Sequence, residues 1–263
     1  MSAKGPWHDL SLRLASGVGM AALGLGAVWA GGPWFAALAA TVCGLMLWEL
    51  ARMVAPERAL EAVIVGLSGA AAVLVGRALP DAVALVPIAV PAILGAVLLR
   101  RERAIFAAFA LAIVAASYGL TGFRDVHGVV WLIWLVLVVI ATDVSGYFAG
   151  RFIGGPKFWP RVSPKKTWAG TLGGWFAAVL IGLIFLTFTN AGRDLPWISM
   201  ALSLASQMGD IAESAVKRRM GVKDSSGLLP GHGGLFDRFD GLLGAALFML
   251  LVAQLVYVPE VRF

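Results

Sequence analysis

Asp210, Glu213 and Lys217 stand at i, i+3 and i+7 in the stretch QMGDIAESAVKRRMGVKDSSGLLPGHGGLFDRFDG, which runs from Gln207 to Gly241. If the apolar run from Trp197 continues as helix, all three project from one face. Asp237 and Asp240 repeat the i, i+3 spacing around Arg238 at the head of the next apolar run, which supplies a second pair of oxygen donors. Two such pairs can meet across a helix interface and hold hard cations such as magnesium, which take oxygen ligands and keep positions open for phosphate oxygens. Between the pairs lie Lys217, Arg218, Arg219 and Lys223, then Pro230-Gly231-His232-Gly233-Gly234. Cations and glycines beside acidic metal ligands suit a polyphosphate, whose oxygens need positive charge and close approach by backbone N–H groups. The bland alternative is a positive loop with acids that merely balance it. Carboxylates in so apolar a chain are expensive and usually functional, which favours chemistry.

Two further groups point the same way. Asp143 opens Asp143-Val-Ser-Gly-Tyr147-Phe-Ala-Gly150-Arg151 near the end of an apolar run. An unpaired carboxylate there would cost about 3 kcal/mol, so a partner or a metal is expected. Ser163-Pro164-Lys165-Lys166-Thr167 then precedes the next apolar run. Two lysines and two hydroxyls at a helix start make an anion site, because free N–H groups and the helix dipole add to the lysine charge.

These groups must be positioned by membrane helices. Of 263 residues, 60% are hydrophobic and 14% charged, with mean hydropathy +0.86; soluble domains carry about 25% charged residues. The expected class is an all-α, polytopic integral membrane protein. A net charge of +6 would suggest nucleic acid in a soluble protein, but the basic residues here fall between apolar spans, where topology explains them, so no nucleic-acid partner is expected. The single cysteine, Cys43, excludes an intrachain disulfide and reads as packing.

Nine runs have the roughly 17 to 25 residues that a helical crossing needs. They lie near Leu12–Ala30, Trp34–Met53, Ala59–Leu79, Ala82–Leu99, Ala104–Thr121, Val129–Ala149, Trp168–Asn190, Trp197–Val216 and Phe239–Tyr257. The third and fourth are separated narrowly by Pro80 and Asp81, and Pro87 and Pro91 interrupt the fourth, so a re-entrant pair is an alternative there. Residues 1–128 then hold five N-terminal spans, and residues 129–263 hold four spans with the motif-bearing loops. Of the 21 lysines and arginines, 17 fall in the N-terminal segment and the even-numbered loops. The positive-inside rule therefore places those segments, and the acidic and basic boxes with them, on the cytoplasmic side, with the C-terminus outside. A signal peptide over the first run is the weaker alternative, because the run is long for one and its removal would leave an even span count.

Several features read as structural. Glu49 and Arg52, three apart, form an interfacial pair; Arg100, Arg101 and Arg103 anchor topology or meet anionic lipid. Trp34, Trp131, Trp168 and Trp197 sit near run ends as interface anchors, and Gly17, Gly19, Gly24 and Gly26 suit close helix packing. Neither a P-loop nor a Gly-x-Ser-x-Gly elbow occurs.

The boxes also resemble a known family, the phosphatidate cytidylyltransferases or CDP-diglyceride synthases. The resemblance rests on Ser214, Lys217-Arg218, Lys223-Asp224, Pro230-Gly231-His232-Gly233-Gly234 and Asp237-Arg238-Phe239-Asp240, with the Ser163–Thr167 box and the Asp143-x-x-x-Tyr147-x-x-Gly150-Arg151 pattern upstream. It covers about the last half of the chain. The Asp143 box departs from the pattern at Ser145-Gly146, just before Tyr147.

The resemblance implies CTP and phosphatidic acid as substrates, CDP-diacylglycerol and pyrophosphate as products, and a place in phospholipid biosynthesis at a bacterial inner membrane. It also implies magnesium, allows a second, monovalent cation such as potassium, and implies a homodimer. On this reading Asp210 and Asp237 hold metal, with Asp240 and Glu213 beside them. Lys165, Lys166, Lys217, Arg218, Lys223 and Arg238 neutralise phosphates, while Ser163, Thr167, Gly233, Gly234 and Asp143 line the substrate site. His232 either donates to the leaving group or fixes its loop. Competing readings are a lipid nucleotidyltransferase or kinase acting on another lipid, and an ion-coupled transporter. A transporter would spread its acids through the membrane depth. The Asp-Gly-x-x-Ala-Arg box of CDP-alcohol phosphotransferases is not found.

Overall fold

The computed structural model describes residues 6–80, 82–229, 231, 233–259 and 261, with side chains from residue 17 onward. Among the described residues, nine helices fall on the nine apolar runs: α1 (Pro6–Ala30), α2 (Gly32–Val54), α3 (Ala59–Ala78), α4 (Val86–Leu99), α5 (Arg103–His127), α6 (Val129–Phe152), α7 (Trp168–Leu186), α8 (Leu195–Arg219) and α9 (Phe236–Val252). Their ends carry local signals. Proline stands in the first turn of α2, α4 and α8, where its missing N–H would have had no helical partner.

Helices α2, α3, α5, α6 and α7 are long and apolar enough to cross a membrane; among the described residues, Gly17–Ala30 of α1 and all of α4 are shorter apolar helices. The chain is thus an integral membrane protein built of helices. α4 has only 14 residues, about 21 Å at 1.5 Å per residue, less than a bilayer core of about 30 Å. The fourth expected span is accordingly shorter than its hydropathy implied.

One element was not expected. The loop after α6 forms an antiparallel hairpin of β1 (Lys157–Trp159) and β2 (Ser163–Thr167), with Lys157 opposite Thr167 and Trp159 opposite Ser163. The lysine box is therefore a strand. Thr167 ends it and caps α7, accepting a hydrogen bond from Gly170 N at 3.1 Å.

The chain divides into two compact units, one of Met1–Thr121 with Val222–Arg238, the other of Gly122–Gly221 with Phe239–Phe263. The core of the first unit includes Leu47, Leu50, Val65, Phe106 and Phe236. α2 and α3 touch there through glycine: a Cβ on Gly44 would come 2.8 Å from Gly66 O, and the reverse holds equally. The second unit buries Leu135, Val138, Ala178 and Leu202. α6 meets α7 at Gly146 and Gly170, and α8 meets α9 at Gly209, where a Cβ would lie 2.3 Å from Asp240 O. Such pairs let backbones approach where no hydrophobic force drives association in lipid.

The glycines singled out for packing in α1 behave differently, because Gly19, Gly24 and Gly26 have nothing within 4 Å of a Cβ. Periodicity identified small residues but not a partner surface. Trp34, Trp168 and Trp197 are exposed as anchors should be, whereas Trp131 is buried and donates its indole N–H to Pro259 O at 2.8 Å. Cys43 is buried, as a packing residue would be.

Candidate active site

The second unit assembles one group of candidate residues. α8 presents Asp210, Glu213 and Lys217 along one side, as their spacing requires. Glu213 is fully buried and its Oε2 lies 2.5 Å from Lys217 Nζ, one turn further on. Asp210 Oδ2 lies 2.6 Å from Lys166 Nζ, and Ser214 Oγ donates to Asp210 Oδ1 at 3.3 Å. Lys166 also donates to Gln207 O at 3.3 Å, one turn before Asp210.

The strand form of the lysine box explains why only one of its lysines enters this group. Successive side chains of a strand point to opposite faces, so Lys166 turns toward α8 while Lys165 is exposed. Ser163 is half-buried at the start of β2. The strand's far end is fastened by Thr167, and Gln207 clamps α7 to α8 by accepting from Trp175 Nε1 at 3.1 Å and donating to Thr171 O at 3.3 Å.

Asp240 accepts from Gly241 N at 2.7 Å and lies close enough to Asp210 and Asp143 to feel their negative charge, and to Lys217 to feel its positive charge. Asp143 itself is exposed at its place on α6, and Arg218 is exposed at the end of α8. Like charges gathered in a helical membrane protein need cations nearby. Lys166 and Lys217 already serve that need.

The first unit contains the other group. Asp237, in the first turn of α9, accepts three hydrogen bonds on Oδ2: from Ser225 N at 2.9 Å, Ser225 Oγ at 3.0 Å and Gly234 N at 2.8 Å. Gly233 has φ +85°, which favours glycine, and a Cβ on it would lie 2.8 Å from Asp237 Oδ2. The glycine pair thus makes room for a carboxylate of the chain itself, and the Gly234 N–H that sequence reasoning directed at a phosphate points at Asp237. Lys223, Asp224 and Arg238 are exposed. His232 lies outside the described residues.

Glu49 belongs to this group, against the expectation of an interfacial pair with Arg52. It is fully buried. Oε1 accepts from Ser226 Oγ at 2.5 Å and Leu235 N at 2.8 Å; Oε2 accepts from Phe236 N at 2.6 Å and Ser225 Oγ at 3.3 Å. Arg52 instead donates to Pro56 O. An i, i+3 pattern cannot reveal partners about 180 residues away, and the only advance signal was a carboxylate within an apolar run.

Oxygen donors of this kind suit magnesium, and Lys166 shows that Asp210 accepts a cation's charge. Among the described residues, no group of three or more acidic, histidine or cysteine side chains is already arranged as a metal cage. Magnesium commonly keeps waters and takes substrate phosphates beside one or two carboxylates, which is the donor set that Asp210 and Asp240 offer.

Fold and side chains together define a polytopic helical membrane protein that brings carboxylates of α8 and α9 together with lysines of β2 and α8. A model of the cytidylyltransferase family matches residues 11–256, and the chain belongs to that family. It is similar to the phosphatidate cytidylyltransferase of Brucella abortus biovar 1 (strain 9-941), 46% identical over 149 residues that make up 56% of this chain and 55% of the relative. The protein of the same name from Staphylococcus aureus (strain COL) is 36% identical over 160 residues, 57% of this chain and 61% of the relative. The chain spans somewhat over half the length of these curated relatives.

Proposed function

We propose that the protein transfers a cytidylyl group from CTP to phosphatidic acid, giving CDP-diacylglycerol and pyrophosphate. The observation that carries this reading is the Lys166–Asp210 ion pair, which joins the lysine box of β2 to the acidic face of α8 in a member of the cytidylyltransferase family. A paired ammonium and carboxylate beside two further acids is the arrangement that phosphate chemistry would use, because the lysine would neutralise phosphate oxygens and the acids would hold a metal.

In the reaction, a phosphatidate oxygen, ionised at neutral pH, attacks the α-phosphorus of CTP. The new P–O bond forms as the bond to the β-phosphate oxygen breaks, and pyrophosphate leaves with that electron pair. No general base is needed, so the chain's work is alignment and charge neutralisation. Asp210 and Asp240 are the residues that would hold magnesium, with Glu213 as a further oxygen donor already oriented by Lys217; a metal role for Asp237, whose carboxylate is held by Ser225 and Gly234, rests on the family resemblance. Bound magnesium would neutralise phosphate oxygens and stabilise the departing pyrophosphate. Lys166 and Lys217 neutralise phosphate charge from within this group, and exposed Lys165 and Arg218 attract anions toward it; the part of exposed Lys223 and Arg238 in neutralising phosphates rests on the family resemblance. A monovalent cation such as potassium and a homodimer complete the proposal on the strength of the family resemblance. The positive-inside distribution supports a bacterial inner-membrane location with the boxes facing the cytoplasm.

The test is purified protein supplied with phosphatidate, magnesium and each of the four nucleoside triphosphates, following pyrophosphate release. Selective turnover of CTP or dCTP, with loss in Asp210→Asn and Asp237→Asn, is expected. Wild-type activity in both variants would remove the roles given to these acids, and turnover without nucleobase preference would remove the cytidylyl assignment.

A further inference from the structure

We infer that Glu49 is a positioning residue, which fixes both feet of the 225–236 loop and, through Ser225, aims Asp237. The inference rests on the role proposed above for the Asp237 group, and it adds a residue from the N-terminal half of the chain, outside the motif-bearing segment. Four donors reach the Glu49 carboxylate, two on each oxygen, and they come from both ends of the loop: Ser225 and Ser226 at its start, Leu235 and Phe236 at its end. The last two are backbone N–H groups at the beginning of α9, where unsatisfied donors and the helix dipole favour an anion. Glu49 therefore caps a helix far from it in sequence.

The link to Asp237 is the Ser225 hydroxyl. It lies 3.0 Å from Asp237 Oδ2 and 3.3 Å from Glu49 Oε2, and its single proton can serve only one of them at a time. The two carboxylates consequently share a donor, and a change at Glu49 alters what Asp237 accepts. Gly234 shows how closely the parts fit: a Cβ there would lie 1.9 Å from Ser225 Oγ and 2.6 Å from Glu49 Oε1. The second glycine of the His-Gly-Gly box is thus demanded by Glu49 and Ser225. An apolar side chain at residue 49 would leave all four donors without an acceptor, so the test keeps the side chain's shape.

Glu49→Gln keeps the shape but turns one acceptor oxygen into an NH2 donor facing two donors. Turnover is expected to fall about 10- to 100-fold, the range for losing charge-assisted hydrogen bonds, while KM for phosphatidate stays within about twofold. In the unliganded protein, the amides of Gly234, Leu235 and Phe236 should exchange hydrogen at least about tenfold faster, with α6 and α7 unchanged. The double variant Ser225→Ala/Ser226→Ala removes two of the four donors to Glu49, and with them the shared hydroxyl at Asp237, while Leu235 N and Phe236 N stay bonded; it should reproduce the loss of turnover and the faster exchange at Gly234 if Glu49→Gln does not fold. Wild-type turnover per folded molecule in either variant, wild-type exchange at residues 234–236 in Glu49→Gln, or wild-type exchange at Gly234 in the double variant would overturn the inference. Absence of CTP turnover in the wild type would instead overturn the proposed function, and the exchange measurement would still decide whether Glu49 anchors the loop.

Discussion

Gly209→Ala is the most economical test of how α8 carries Asp210 to its place. A Cβ at residue 209 would stand 2.3 Å from Asp240 O and 3.0 and 3.1 Å from the backbone N and Cα of Gly244. All three are backbone atoms, so no side-chain rotation relieves the clash. Restoring an ordinary contact of about 3.4 Å requires the two helices to part by about 1 Å, and overpacking of this sort costs about 1–3 kcal/mol. The displacement falls on Asp210, the next residue, and on Asp240, whose carbonyl is struck. A misplacement of about 1 Å in a catalytic group can lower turnover about 100-fold. The assay is pyrophosphate release from CTP and phosphatidate, alongside thermal unfolding in detergent. Gly24→Ala serves as the control, because nothing lies within 4 Å of a Cβ there and alanine is the better helix former. A Gly209→Ala protein with the turnover and melting temperature of wild type would refute the claim that glycine contact between α8 and α9 sets the position of the acids.

Other outcomes follow from the same geometry. Lys217→Met leaves the buried Glu213 carboxylate without its ion pair and should destabilise the protein by about 3–5 kcal/mol, and Glu213→Gln in the same chain should restore much of that loss in a denaturant titration. Lys166→Ala should depress turnover far more than Lys165→Ala, because only Lys166 reaches Asp210; equal losses in steady-state assays would argue against the strand alternation. Thr167→Ala removes the cap of α7 and should cost about 1 kcal/mol in thermal unfolding, while Thr167→Ser keeps the acceptor and should stay near wild type. Chelation of divalent metal should abolish pyrophosphate release without unfolding the helices, as read by circular dichroism; retained activity in excess chelator would exclude the magnesium role given to Asp210 and Asp240.

Much of this protein is legible in one dimension. Long apolar runs broken by charged segments require helices, since lipid offers the backbone no hydrogen-bonding partner, and among the described residues each run carries a helix. The spacing of Asp210, Glu213 and Lys217 fixed their common side because a helix repeats every 3.6 residues whatever surrounds it. The same local rules fail where the partner lies elsewhere in the chain. The hairpin of β1 and β2 exists because Lys157–Trp159 finds Ser163–Thr167, and it gives Lys166 a contact with Asp210 while Lys165 stays exposed. Whether a glycine is packed or open depends on the neighbouring helix, so Gly66 meets Gly44 while Gly24 meets nothing. Glu49 is the clearest case: beside Arg52 in sequence it reads as half of a surface pair, but burial forced its charge to find four donors, and those donors come from a loop some 180 residues away. Local periodicity decides which way a side chain leaves its own helix; only packing decides what it meets there.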